Sequence, residues 1–345
     1  MSNPLAKDLD HVMHHTQGLW EELRGQRIFI TGGTGFFGCW LLESFAWAND
    51  TLKLDAHAVV LSRNPQALAA KAPHLLNHPA ISFVTGDIRD FEFPAGNFSH
   101  VIHAATEASA KLNAEQPLLM LETIVDGTQR ALEFARHAGA KKFLLTSSGA
   151  VYGPQPKDLT HVPESYTGAP DTMNALSAYG EGKRLSEHLS VLHGRQYGFE
   201  VKVARCFAFV GPYLPLDSHY AIGNFLRNAL AGEKIHILGD GTPMRSYLYA
   251  ADLAIWLWTI LFRGEAFQAY NVGAENDLSI GELARKIQNQ FSPGSPVVIA
   301  GQPRAGSLPE RYVPATGKAR SQLHLNAETS LDDALQRTVA WIKRN

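Results

Sequence analysis

The chain is short of several features that would narrow its role at once. Only two cysteines occur in 345 residues, Cys39 and Cys206, both inside apolar runs. That argues against a disulfide framework and suits buried thiols in a reducing compartment. No apolar run approaches the roughly 18 residues that a membrane helix needs. The first residues, MSNPLAKDLDHVMHHTQGLWEEL, carry Lys7, Asp8, Asp10 and three histidines, where a secretory leader is apolar. A cytoplasmic location is the expectation. Neither sign of charge dominates: 31 Lys and Arg face 33 Asp and Glu, a formal net charge of -2. With no basic, aromatic-interleaved stretch either, neither nucleic acid nor a membrane is expected as partner. Repeats and low-complexity tracts are absent. What remains is an ordinary globular composition, 45% apolar, long enough for one large core and a smaller lobe.

Residues 5–23 read as an amphipathic helical preface. His11 is spaced to share a face with His14 or His15, yet no acidic or cysteine partner lies near, so a solvated helix face is expected and no metal. From RIFITGGTGFFG onward, short apolar strands alternate with helical stretches. Strands are predicted at 27–31, 57–62, 81–86, 100–105, 142–148 and 201–207, with helices near 38–48, 117–138 and 178–193. Several strands are apolar throughout, as strands of a parallel sheet buried on both faces are. This is the rhythm of a doubly wound α/β sheet. The alternation breaks after 207, where a loop-rich stretch precedes a helix at 222–231, a strand and turn in IHILGDG, a helix at 252–262 and a strand at 269–273.

The turn TGGTGFFG sets Gly32, Gly35 and Gly38 at three-residue spacing directly after a strand and into a helix. A tight turn, close backbone approach to a pyrophosphate and a helix N-terminus are what a dinucleotide requires. Gly32, Gly35, Phe36, Phe37 and Gly38 are therefore candidate cofactor residues. Ala104 and Ala105, ending the 100–105 strand, join them. An acidic residue at the end of the second strand would favour NAD; the sequence has Ser62 and Arg63 there. A hydroxyl beside a guanidinium suits the 2′-phosphate of NADP, with NAD as the alternative if Arg63 only lays its stem on the surface. Asp87 and Ile88, in GDI, are expected beside the adenine.

The stretch SAYGEGKRLSEHL holds Tyr179 and Lys183 four residues apart on one helical face, with Gly180 and Gly182 between them at a cost to the helix. Taken in order, the glycine turn, GDIRD, HAAT, TSSGAVYG, YGEGK and GDGTPMRSYLYAADLA resemble the extended short-chain dehydrogenase/reductase family, and within it the nucleotide-sugar epimerase/dehydratase branch. The likeness runs from about 26 to 340. It implies a Rossmann domain over 26–207 after a helical extension at 1–25. A mainly substrate-binding lobe then covers 208–345, with segments near 244–277 returning to the sheet. It also implies a catalytic trio of Ser148, Tyr179 and Lys183. Lys183 would lie beneath Tyr179 and the nicotinamide ribose. Its ammonium and the oxidised ring would pull the phenol below its usual ~10, ready to take a proton from a sugar hydroxyl. The two glycines are expected to let cofactor, substrate or a neighbouring element come close.

Departures from the resemblance bear on the reaction. Where 4,6-dehydratases carry an Asp-Glu pair and decarboxylases keep the Glu, this chain has Gly149 and Ala150, neither of which can move a proton. Glu107 is a possible replacement carboxylate or only a loop residue. A 4-epimerase is the favoured expectation, with a keto-sugar reductase or a dehydratase/decarboxylase as alternatives. A non-catalytic dinucleotide-binding sensor is the alternative of another class. Ser147, Asn224 and Arg245 are the further substrate candidates, Arg245 for the phosphates unless it pairs with Asp240 or Asp252. Asp217 and His219 are guesses for the sugar pocket. The family's substrate-touching Asn is Ala208 here, and a usual structural Asn is Ile124. A homodimer through helices 117–138 and 178–193 is implied.

Overall fold

The computed structural model describes residues 3–106, 109–217, 220–304 and 306–344. Seven strands form its main sheet: Arg27–Thr31 (β1), His57–Ser62 (β2), Ile81–Thr85 (β3), His100–His103 (β4), Lys142–Ser148 (β5), Glu200–Cys206 (β6) and Gln268–Val272 (β7). Their order is β7-β6-β5-β4-β1-β2-β3, and every neighbouring pair is parallel. This is a doubly wound α/β sheet. The order reverses between β1 and β4, so the carboxyl ends of those two strands open the crevice where ligands of such sheets bind.

Side-chain alternation along β1 explains why both faces are covered. Ile28 and Ile30 enter one apolar cluster; Phe29 enters the other. The first cluster is roofed by helix Phe36–Leu52 and by helix Ala250–Arg263, which is buried from Ala250 to Phe262. A helix apolar on all sides must be a core element, and this one is. The preface helix Ala6–His15 lays Leu9 and Val12 into the same cluster, and Trp20 beside it meets Trp258 at 4.7 Å between ring centroids. Residues 5–23 are therefore core material. His14 and His15 are exposed, whereas His11 bonds the buried Asp252 at 3.1 Å. Among the described residues no group of three metal-type ligands occurs, and no helix is long and apolar enough to cross a membrane.

Helices Pro117–His137 and Ala178–Tyr197 pack together on the other face. β4 stops at His103, before the predicted end, because the Ala105 N–H turns to the Thr31 hydroxyl at 3.1 Å. Beyond β6 a smaller sheet sets Met244–Ser246 between antiparallel Asp277–Ser279 and parallel Arg311–Tyr312. Its register puts Tyr312 opposite Arg245, and both reach the cleft above β5 and β6.

Candidate active site

The cofactor side is built from the β1 turn. Gly32 has φ +73°, and a Cβ there would lie 2.6 Å from the Ala104 carbonyl carbon. Only glycine lets the turn rest on the end of β4 in that conformation. A Cβ on Gly38 would lie 2.3 Å from the Gly32 oxygen, so the helix can start this close to the turn only without one. Gly35 caps helix Phe36–Leu52 with no side chain, leaving the first-turn N–H groups to an anion. Phe36 and Phe37 follow half-buried, and Phe37 meets Phe209 edge-on at 5.1 Å. These features fit a dinucleotide pyrophosphate.

At the end of β2, Ser62 is buried and its hydroxyl lies 3.2 Å from that of Thr34 in the turn, while Arg63 is exposed. The Lys71 ammonium donates to the Thr34 carbonyl. The sequence reading missed Lys71, which reaches the glycine turn from the short connection between Pro65–Leu68 and Pro73–Leu76, with no motif to mark it. A hydrogen bond from Arg89 (Nε to Asp87 at 2.8 Å) holds the Asp87 carboxyl below its usual range, with a lesser contribution from Arg63. Ile88 is buried against Gly127, where a Cβ would meet it at 2.9 Å.

The catalytic candidates converge at the end of β5. Ser148 accepts from the Ala150 N–H at 3.2 Å, which fixes its hydroxyl at the strand end, beside the Tyr179 phenol whose ionised form it favours. Lys183 is buried, and its ammonium donates to the Thr106 hydroxyl at 2.7 Å and the Thr146 carbonyl at 2.8 Å. Described residues thus use two of its three donors. Burial pushes Lys183 down to about 8.

The protein's own residues do not acidify Tyr179, so the expected lowering rests on the charge of an oxidised nicotinamide. Burial, then the neighbouring phenols of Tyr312 and Tyr220, push it above the ordinary tyrosine range, with Ser148 opposing. The Lys183 ammonium is held by Thr106 and Thr146. The two glycines serve neighbouring elements: a Cβ on Gly180 would lie 2.9 Å from the Ala150 oxygen, and one on Gly182 3.2 Å from Ile124. Ile124 fills the groove that Gly182 leaves between the two helices, so these unusual residues form a pair.

Ser147 does not join the trio. Its hydroxyl donates to Glu187 at 2.5 Å, and Glu187 holds Arg205 through both carboxylate oxygens. Arg205 in turn donates to the Tyr152 hydroxyl at 2.9 Å. This polar chain props up the floor of the cleft.

On the sugar side, a Cβ at Gly149 would lie 2.6 Å from the Phe207 ring and 2.9 Å from the Tyr312 hydroxyl. Tyr312 and Tyr220 were both missed, since they come from segments far along the chain. Arg245 carries its guanidinium carbon 5.8 Å from the centre of the Tyr312 ring, and Nη1 donates to the Met244 carbonyl. Neither anticipated acidic partner engages it: Asp240 holds Thr242, and Asp252 holds His11 and Thr329. Asn224 lies half-buried in the first turn of helix Ala221–Leu230, next to Tyr220. Ala208 offers its carbonyl to Leu248, and Asp217 is exposed. Glu107 and His219 lie outside the described residues.

Residues 28–273 match the NAD dependent epimerase/dehydratase family. The chain belongs to that family. It is an NAD-dependent enzyme of the extended short-chain dehydrogenase/reductase type. Among curated relatives it is 29% identical to UDP-glucuronic acid decarboxylase 1 of Arabidopsis thaliana over 315 residues, 91% of this chain and 69% of that protein. It is 28% identical to UDP-glucuronic acid decarboxylase 1 of Xenopus tropicalis, over 92% of this chain and 72% of the other. Among solved structures, a dTDP-glucose 4,6-dehydratase of Streptomyces venezuelae with bound NAD superposes with TM-score 0.77 at 27% identity, covering 92% of this chain and 97% of that one. UDP-glucose 4-epimerase of Thermotoga maritima superposes with TM-score 0.77 at 23% identity, covering 92% and 99%. That last likeness concerns the fold alone. The relatives named above 25% identity carry two chemistries, decarboxylation and dehydration, and this chain's own residues have to decide its reaction.

Proposed function

We propose that the protein is a nucleotide-sugar 4-epimerase that uses NADP in preference to NAD. The observation that carries the reaction is the space over Gly149. Phe207 and Tyr312 fill it, and neither Gly149 nor Ala150 bears a group able to give or take a proton for elimination. What the cleft retains is an oxidation site. A bound nicotinamide supplies the hydride acceptor there, and its positive charge when oxidised. Beside that charge Tyr179 would act as the phenolate and accept the proton of the sugar hydroxyl as that carbon becomes a ketone, with Ser148 orienting the oxygen and Lys183 available to hold the cofactor ribose with its remaining donor. After the keto sugar turns over, the hydride would return to the opposite face of that carbon while Tyr179 gives the proton back to its oxygen, so the hydroxyl re-forms with inverted configuration. Arg245 offers a planar fork of donors to the diphosphate, so we assign 208–345 mainly to sugar-nucleotide binding, 26–207 to the cofactor and 1–25 to an N-terminal helical extension.

Ser62, Arg63 and Lys71 support the NADP preference, because two cations and a hydroxyl surround the end of β2 and no carboxylate takes its last position. Leu118, Leu185 and Leu192 stand exposed on the paired helices, which favours a homodimer through that face. Both thiols are buried and free, in keeping with a cytoplasmic setting.

Incubation with UDP-, dTDP-, GDP- and CDP-sugars, followed by NMR, tests the reaction. A C4 stereoisomer is expected. Loss of carbon dioxide or water from any of them overturns the epimerase in favour of the chemistry of the named relatives. Tyr179→Phe should lose on the order of 10²–10⁴ in turnover and still bind dinucleotide.

A further inference from the structure

We propose that Tyr312 is a positioning residue of this active site, a phenol delivered from the C-terminal segment to orient the Ser148 hydroxyl toward the reacting sugar oxygen. The inference deepens the proposed function and rests on its assignment of Ser148 and Tyr179. The Tyr312 hydroxyl lies 3.2 Å from Ser148 Oγ, and its next acceptor, the Cys206 carbonyl, is further away at 3.4 Å. A serine hydroxyl has one proton and two lone pairs. The Ala150 N–H takes one lone pair at 3.2 Å. When the Tyr312 O–H donates into the second, the serine proton is left to point at Tyr179 and the substrate oxygen. Without Tyr312 that hydroxyl can rotate, and the fraction in the useful orientation falls.

The phenol is held for this task. Its ring lies 4.7 Å from that of Phe207, and its backbone pairs with Arg245. The neighbouring Arg311 is clamped to Asp277 at 2.5 Å. The absence of a side chain at Gly149 is what lets the hydroxyl in, since a Cβ there would stand 2.9 Å from it. Burial, partly opposed by Ser148, pushes the Tyr312 phenol up to about 12, so it stays a protonated donor over the working range.

The test reads the first half-reaction, reduction of bound nicotinamide by a nucleotide sugar in a single turnover, for wild type, Tyr312→Phe, Ser148→Ala and the double variant. The Phe ring keeps the packing and removes only the hydroxyl. Tyr312→Phe should slow reduction on the order of tenfold to hundredfold with sugar and cofactor affinity little changed. In the Ser148→Ala background the same substitution should cost nothing, because its route is already cut. Equal rates for wild type and Tyr312→Phe, or costs that multiply in the double variant, overturn the proposal while leaving the function standing. A wild type that reduces no cofactor with any sugar overturns the functional reading, and the positioning role of Tyr312 with it. A substrate-free measurement checks the contact separately. Fluorotyrosine placed at 312 should change its fluorine NMR shift and titrate at a different pH when Ser148 becomes Ala, and an unmoved signal overturns the pairing.

Discussion

On the proposed function the cleft has a cofactor wall and a sugar wall, and the two are made in different ways. The cofactor wall draws on short runs at the carboxyl ends of strands and on one helix: the turn at 32–38, the end of β2 at 62–63, the end of β4 at 104–105, and Tyr179 with Lys183. The sugar wall collects Gly149, Phe207, Tyr220, Arg245 and Tyr312 from five separate segments. Parallel strands with short connections force the first arrangement, since each βα junction ends at the same edge of the sheet. Nothing comparable constrains the second, where a small sheet and a loop only have to reach over the crevice. One wall is thus tied to shared cofactor chemistry, and the other is free to change with the substrate.

The sharpest way to break this contrast is to damage the cofactor wall at its tightest point. Gly32→Val puts a branched side chain against the Ala104 carbonyl, 2.6 Å from the new Cβ, at a positive φ. Overpacking of this kind costs on the order of 1–3 kcal/mol, and dinucleotide affinity, measured by calorimetry, should drop up to about a hundredfold while far-ultraviolet circular dichroism stays native. An unaffected affinity would mean that the turn is not the cradle. Next in size, Arg63→Ala with Lys71→Ala should weaken NADP on the order of tenfold, the worth of a charged hydrogen bond or so, and leave NAD nearly unchanged. If both dinucleotides weaken equally, the two cations serve the fold and carry no preference.

Legibility in the sequence follows the same divide. The boundaries of β1, β2 and β5 agree with their predicted ranges, because a strand buried on both faces announces itself as an uninterrupted apolar run ending in a turn residue. That Tyr179 and Lys183 share one helix was readable from spacing, while their roles came from the family resemblance. The upward push on the Tyr179 phenol was not readable, because it comes first from burial and then from Tyr312 and Tyr220, whose approach no local pattern records. Gly182 and Ile124 looked like two unrelated oddities and turn out to be one contact across two helices. Lys71 likewise acts on a carbonyl far from its own neighbours in sequence.

A smaller effect sharpens the comparison by pH. Lys183 has a folded value near 8, lowered by burial, so its ammonium is present below that pH and lost above it. Dinucleotide affinity should therefore decline severalfold as pH rises through about 8 to about 9, and Lys183→Met should bind more weakly with no such decline. Fluorescence titration at a series of pH values reads both.

The smallest effect lies away from both walls and asks whether the preface belongs to the fold. Glu22 reaches from the segment before β1 to the amino ends of two central strands, accepting from His100 at 2.9 Å on β4 and from Lys142 at 2.6 Å on β5. Burial would raise its carboxyl, but those two hydrogen bonds prevail and hold it at about 2, against an ordinary value of 4.5. A folded value below the unfolded one means that the contact stabilises above about pH 4.5 and is lost as pH falls through about 2. Because a third of the side chain is exposed, solvent screening reduces the full linkage value to on the order of 1 kcal/mol. Glu22→Gln should thus lower the unfolding free energy in urea by about that much near neutrality, and the difference from wild type should shrink as the titration is repeated toward about pH 3. A gap that stays constant with pH would make Glu22 a packing residue and leave Leu9, Val12 and Trp20 as what fastens the preface to the sheet.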